Sequence, residues 1–89
     1  MLVYGPILNE LVIAKDMDRL KEKINNVLAN EVGIKIRNWN IKFLKDLDSS
    51  FEFTKEIPPY KVVIDGYWSW DRTVIYAGVI VFAPRFPLY

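Results

Sequence analysis

From residue 60 onward, apolar positions stop alternating with polar ones. Tyr60 to Phe86 reads YKVVIDGYWSWDRTVIYAGVIVFAPRF. Val62, Ile64 and Trp68 share one strand phase, and Val63 and Tyr67 share the other. Val74, Tyr76, Ile80 and Phe82 alternate with Ile75, Ala77, Val79 and Val81. Successive side chains of a strand point to opposite faces. Two strands, 60–68 and 73–83, are therefore expected, each apolar on both sides. Their reversal has two readings. Asp65-Gly66 is a two-residue hairpin signal. Ser69-Trp70-Asp71-Arg72 leaves strands of nearly equal length and is preferred, with Gly66 then a bulge or close-packing point.

The helix has the clearest period. Met17, Leu20, Ile24, Val27, Leu28 and Val32 recur at three- and four-residue steps, with Arg19, Lys23, Asn26 and Asn30 on the other side. Asp16 suits an N-cap, Asp18 suits the positive end of the dipole, and Gly33 suits a left-handed C-cap. The spacing predicts a helix over about 17–31.

Ile7 to Ala14 reads as a strand, with Ile7, Leu11 and Ile13 on one side and Leu8 and Val12 on the other. Gly5-Pro6 interrupts the line before it. Ile34 to Leu44 reads as a strand whose phase slips near Arg37-Asn38, which a bulge would reconcile; a short helix from Asn38 competes with it. Phe51, Phe53 and Ile57 alternate with Glu52, Thr54 and Glu56, and Pro58-Pro59 ends that strand. The order β-α-β-β-β-β predicts an α+β fold. One amphipathic helix packs on an antiparallel sheet of four to five strands with a long C-terminal hairpin. The whole of 1–89 is read as one domain, with 84–89 an extended tail.

One helix covers one sheet face. The other face is apolar too, and exposed apolar patches are normally covered or functional. A two-fold homodimer through sheet faces or strand edges is the expected cover. The residues expected to carry it are Val63, Tyr67, Trp68, Ile75, Tyr76, Ile80, Phe82 and Phe86.

Composition narrows the chemistry. There is no cysteine and no histidine, which removes disulfides, thiolate nucleophiles, His-assisted hydrolysis, zinc fingers and haem sites. With 52% of residues hydrophobic, disorder is not expected. Twelve basic and eleven acidic side chains leave a charge of +1, which argues against coating DNA by bulk charge. Glutamine is also absent; this fits growth at high temperature, although six asparagines weaken that reading and an AT-rich genome would explain much of the bias. No basic n-region precedes an apolar core, so no signal peptide is read. The longest apolar run, Val74 to Ala83, is about half the ~20 residues a spanning helix needs. An intracellular location, cytoplasmic or in a particle assembled there, is the expectation, with no membrane contact.

Four groups of residues bear on chemistry. Lys35, Arg37, Trp39, Lys42, Trp70 and Arg72 could hold a nucleic acid by phosphate contact and base stacking; core packing and solvated charge pairs account for the same residues. Asp46, Asp48, Glu52 and Asp65 could serve a magnesium-dependent nuclease, but their spacing matches no metal motif and aspartate is common in turns. Pro84 to Pro87 is a short P-x-x-P tract that could dock as polyproline II. The glycines form no phosphate-binding pattern. No catalytic residue, metal, cofactor or small-molecule ligand is expected. The sequence points to a non-enzymatic interaction or structural protein, with nucleic-acid binding as the alternative and a metal-dependent nuclease third.

Overall fold

A computed structural model describes residues 3–39 and 50–85. Its elements are β1 (Val3–Ala14), α1 (Met17–Val32), β2 (Ser50–Ile57), β3 (Tyr60–Trp68) and β4 (Ile75–Arg85). The strands form one antiparallel sheet in the order β1-β4-β3-β2. This is the expected α+β fold, with four strands among the described residues.

The helix begins and ends where its caps require. Asp16 is extended, and its Oδ1 accepts the Arg19 N–H at 2.7 Å. Gly33 takes φ +70°, a left-handed conformation costly for residues with a Cβ, and its N–H reaches the Ala29 carbonyl at 3.2 Å. Leu20, Ile24 and Leu28 are fully buried on one helix face, worth roughly 1.5–3 kcal/mol each. That face lies over β1 and β4.

The inner sheet face supplies Val12 and Ala14 of β1, Ile75, Ala77, Val79 and Val81 of β4, Val62 and Ile64 of β3, and Phe53 of β2. Because α1 sits on β1 and β4, the β3–β2 half needs another cover. The segment after the helix provides it. Ile36 is fully buried, and the Trp39 ring stacks on Phe53 at 5.4 Å and 29°.

This segment corrects one expectation. Residues 34–39 are not a strand. The Ile34/Ile36 alternation comes from docking beside the helix: the Ile36 N–H donates to Asn25 Oδ1 at 2.8 Å, and Asn25 Nδ2 donates to the Ile36 carbonyl at 3.0 Å. A side-chain amide does the work of a neighbouring strand. The rest of that expected strand, and the competing helix from Asn38, run into 40–49, outside the described residues.

Two further boundaries differ. β1 continues through Gly5-Pro6, because β1 is an edge strand and an edge tolerates a residue with no N–H. The register shifts between Pro6 and Leu8, a bulge at Ile7. β4 runs on to Arg85, pairing Pro84 with Tyr4 and Arg85 with Val3, so residues 84 and 85 belong to a strand.

The hairpin reverses at Ser69–Val74. The Ser69 N–H reaches the Val74 carbonyl at 2.9 Å, and the Arg72 N–H reaches the Ser69 carbonyl at 2.9 Å. Gly66 lies in unbroken register opposite Phe51 and Ala77. It is a close-packing point, not a bulge: a Cβ there would overlap the Phe51 ring and come within 2.9 Å of the Tyr76 carbonyl oxygen.

Candidate interface on the open sheet face

Register and pleat define the face turned away from the helix. Ile13, Tyr76, Tyr67 and Ser50 form one cross-strand row. Leu11, Gly78, Asp65 and Glu52 form the next, followed by Asn9, Ile80, Val63 and Thr54, and then Pro6, Phe82, Lys61 and Glu56. Tyr4 and Pro84 close the far end. No described element covers this face. Leu11 is 65% exposed and Tyr67 is 54% exposed; Tyr4, Ile7 and Ile13 are exposed as well. The face is largely apolar over β1 and β4, mixed on β3 where Asp65 and Lys61 flank Val63, and polar on β2 through Ser50, Glu52, Thr54 and Glu56.

Local structure holds these side chains in place. Tyr67 and Tyr76 are register partners whose rings stack at 5.3 Å and 24°. Tyr4, Glu56, Lys61, Val63 and Phe82 line a shallow depression at the other end. Gly78, on the central strand β4, leaves a notch. A Cβ there would meet only the Asp65 carbonyl oxygen, at 3.9 Å.

Of the residues expected to carry self-association, Val63, Tyr67, Tyr76, Ile80 and Phe82 share this face. Ile75 does not: it is fully buried in the chain's own core. Trp68 is half-buried and packs against that core. Each stands next in sequence to an open-face residue, Tyr76 and Tyr67 respectively, and adjacent strand residues point opposite ways. Phe86 lies outside the described residues. Sequence reasoning passed over Leu11, Ile13 and Tyr4, although Ile7, Leu11 and Ile13 share one phase of the first strand.

The residues considered for nucleic acid do not converge. Lys35 and Arg37 are exposed on either side of buried Ile36. Trp39 gives one ring face to Phe53. Phe53 registers with Ile64 and Val79, four residues inside the strand ends at Trp68 and Ile75. Trp70 and Arg72 sit beyond those ends, on the turn. Lys42 lies outside the described residues. A separate depression brings Lys15, Arg19 and Lys23 against Ile13 and Val74. There Lys23 Nζ donates to the Ile13 carbonyl at 2.8 Å, and Asp16, Asp18 and Glu22 interleave with the three cations along the chain.

Trp70 is 95% exposed on a turn that is closely hydrogen-bonded. The Asp71 carboxylate accepts the Ser69 hydroxyl at 2.7 Å, the Thr73 hydroxyl at 2.8 Å and the Thr73 N–H at 3.2 Å. These donors, the Ser69 hydroxyl first, hold the Asp71 carboxyl below the usual carboxylate range. Ser69 Oγ in turn accepts the N–H groups of Thr73 and Val74, both at 3.2 Å. Arg72 adopts φ +58°.

Of the carboxylates weighed for metal chemistry, Asp46 and Asp48 lie outside the described residues. Glu52 and Asp65 are exposed register partners. No group of three or more metal-ligating side chains occurs among the described residues. No helix among them is long and apolar enough to cross a membrane.

No protein-family model matches this chain, and no characterised protein or solved structure does either.

Proposed function

We propose that this chain is a small non-enzymatic structural module that works as a homodimer, two copies meeting through their open sheet faces. The observation that carries this is the placement of large apolar side chains from three strands on one uncovered face, with Leu11 65% exposed. Water contact with such a surface is costly, and burial against a like surface removes it.

The contrast with the sheet edges supports a face over an edge. β1 carries Pro6 and a bulge at Ile7, two devices that block strand addition. β2 carries Glu52, Lys55 and Glu56, and charges on an edge strand act the same way. The open face has no such guard over β1 and β4. Its size also suits a pair: four strands at ~4.8 Å spacing over about nine residues give a flat footprint of roughly 550–600 Å². Side-chain relief raises the accessible area toward the ~800 Å² per partner of a stable interface.

Light scattering at micromolar concentration tests the proposal. Twice the chain mass is expected, falling to the chain mass for Tyr76→Lys with an unchanged far-UV circular dichroism spectrum. A wild-type chain that stays monomeric overturns it.

A second reading rests on Trp70. An indole held almost fully in solvent, beside Arg72, is the arrangement that stacks on an unpaired base. Oligonucleotide quenching of tryptophan fluorescence, reversed by salt and lost in Trp70→Ala, is its test.

A further inference from the structure

The open face carries two complementary pairs, and both are centred on the same cross-strand row. On β4, the Gly78 notch lies two residues to one side of Ile80, and the Phe82 ring lies two residues to the other. On β3, Asp65 lies two residues to one side of Val63, and Lys61 lies two residues to the other. Val63 and Ile80 are register partners. A hole and a knob, an acid and a base, are thus placed symmetrically about one line across the strands.

We infer that the two copies are related by a two-fold axis lying along the Val63–Ile80 row, perpendicular to the strands. The inference rests on the face-to-face homodimer proposed above. Rotation about that line lays β4 antiparallel over the partner's β4 and β3 over the partner's β3. Phe82 of each copy then enters the other's Gly78 notch, and Lys61 of each copy meets the other's Asp65. Ile80 and Val63 meet their own counterparts at the axis.

The alternative face-to-face axis runs along the strands, between β4 and β3, and the same register argues against it. It would set Gly78 against Asp65, Phe82 against Lys61 and Leu11 against Glu52. The notch would stay unfilled, and an apolar side chain would desolvate a carboxylate, which is costly. Under the inferred axis the unfavourable contact is Glu52 facing Glu56, on the β2 rim where solvent and salt screen it. The rule that packed sheets cross at about 30° displaces the outer strands most and leaves β4 and β3, beside the centre, closest to register. A glycine inside a central strand with open space above it is a recognised mark of close approach by another surface.

Charge exchange tests the axis by native mass spectrometry of three samples. Lys61→Asp alone puts two carboxylates in each cross-copy pair, and Asp65→Lys alone puts two ammonium groups there. Each homodimer is expected to weaken by at least about tenfold at low salt. An equal mixture of the two variants restores both pairs and is expected to form a heterodimer. Gly78→Leu, which fills the notch within its own copy, is expected to weaken the dimer while Gly78→Ala is tolerated better. A wild-type chain without a dimer removes the homodimer and this axis together. A wild-type dimer with unaffected single variants and no preferred heterodimer removes the axis alone.

Discussion

Asn25 and Ile36 are joined by two hydrogen bonds, at 2.8 and 3.0 Å, between one side-chain amide and one residue's backbone N–H and carbonyl. That pair ties the segment after the helix to the helix itself and sets Ile36 into the core. Asn25→Ala leaves both backbone groups without their partner. A loss of about 1–3 kcal/mol is expected by urea denaturation. Asn25→Asp keeps the acceptor for the N–H but turns an oxygen toward the carbonyl, and should not recover the loss. The exposed neighbour change Asn26→Ala is expected to stay within about 0.5 kcal/mol.

Two glycines on neighbouring strands give opposite expectations. Gly66→Ala drives a methyl group into the Phe51 ring and the Tyr76 carbonyl, and is expected to cost about 1–3 kcal/mol. Gly78→Ala has open space above it and is expected to change monomer stability by no more than about 0.5 kcal/mol. Denaturation of both variants below the association range separates them.

The Asp71 carboxylate links the turn to pH. Its folded-state proton affinity is lowered by the Ser69 hydroxyl and then by Thr73. A group depressed on folding adds stability above its unfolded value and loses it as pH falls through its folded value. Wild type should therefore melt above Asp71→Asn at neutral pH. The gap should close as pH drops below about 4, the ordinary aspartate range. A gap that is constant from neutral to acid pH would show that the carboxylate's charge is not what holds the turn.

The tryptophans should separate by role. Trp70→Ala removes a side chain that is 95% exposed, and a stability change within about 0.5 kcal/mol is expected. Trp39→Ala removes the ring stacked on Phe53, and a loss of about 1–3 kcal/mol is expected because the ring is half-buried. Fluorescence-monitored unfolding of both variants tests this.

What was legible in the sequence follows from how local each signal is. The helix could be read because Asp16, Gly33 and the Leu20–Ile24–Leu28 spacing are all short-range. β3 could be read for the same reason, and the nearly equal strand lengths favoured the true reversal at Ser69-Trp70-Asp71-Arg72 over Asp65-Gly66. The start of β1 was obscured because Pro6 is permitted by an edge position, and the edge is set by strand order. Ile34 and Ile36 imitate a strand because their partners lie in the helix: the Ile34 N–H reaches the Leu28 carbonyl, and Asn25, eleven residues before Ile36, holds both backbone groups of Ile36. The candidate surface was legible only in part. When both strand phases are apolar, sequence cannot say which phase the helix covers. Trp68 and Ile75 therefore stood beside Tyr67 and Tyr76 until the pleat separated them, and the contribution of Leu11 and Ile13 emerged only once β1 was paired with β4.

The central claim is that the open face joins two copies of this chain. Sedimentation equilibrium of wild type and Leu11→Lys tests it most directly, because Leu11 is the most exposed aliphatic residue described on that face and takes no part in the core. Twice the chain mass for wild type is predicted, dissociating on dilution, with the chain mass alone for a folded Leu11→Lys. A folded Leu11→Lys that dimerises as tightly as wild type, or a wild type that is monomeric throughout, would contradict it.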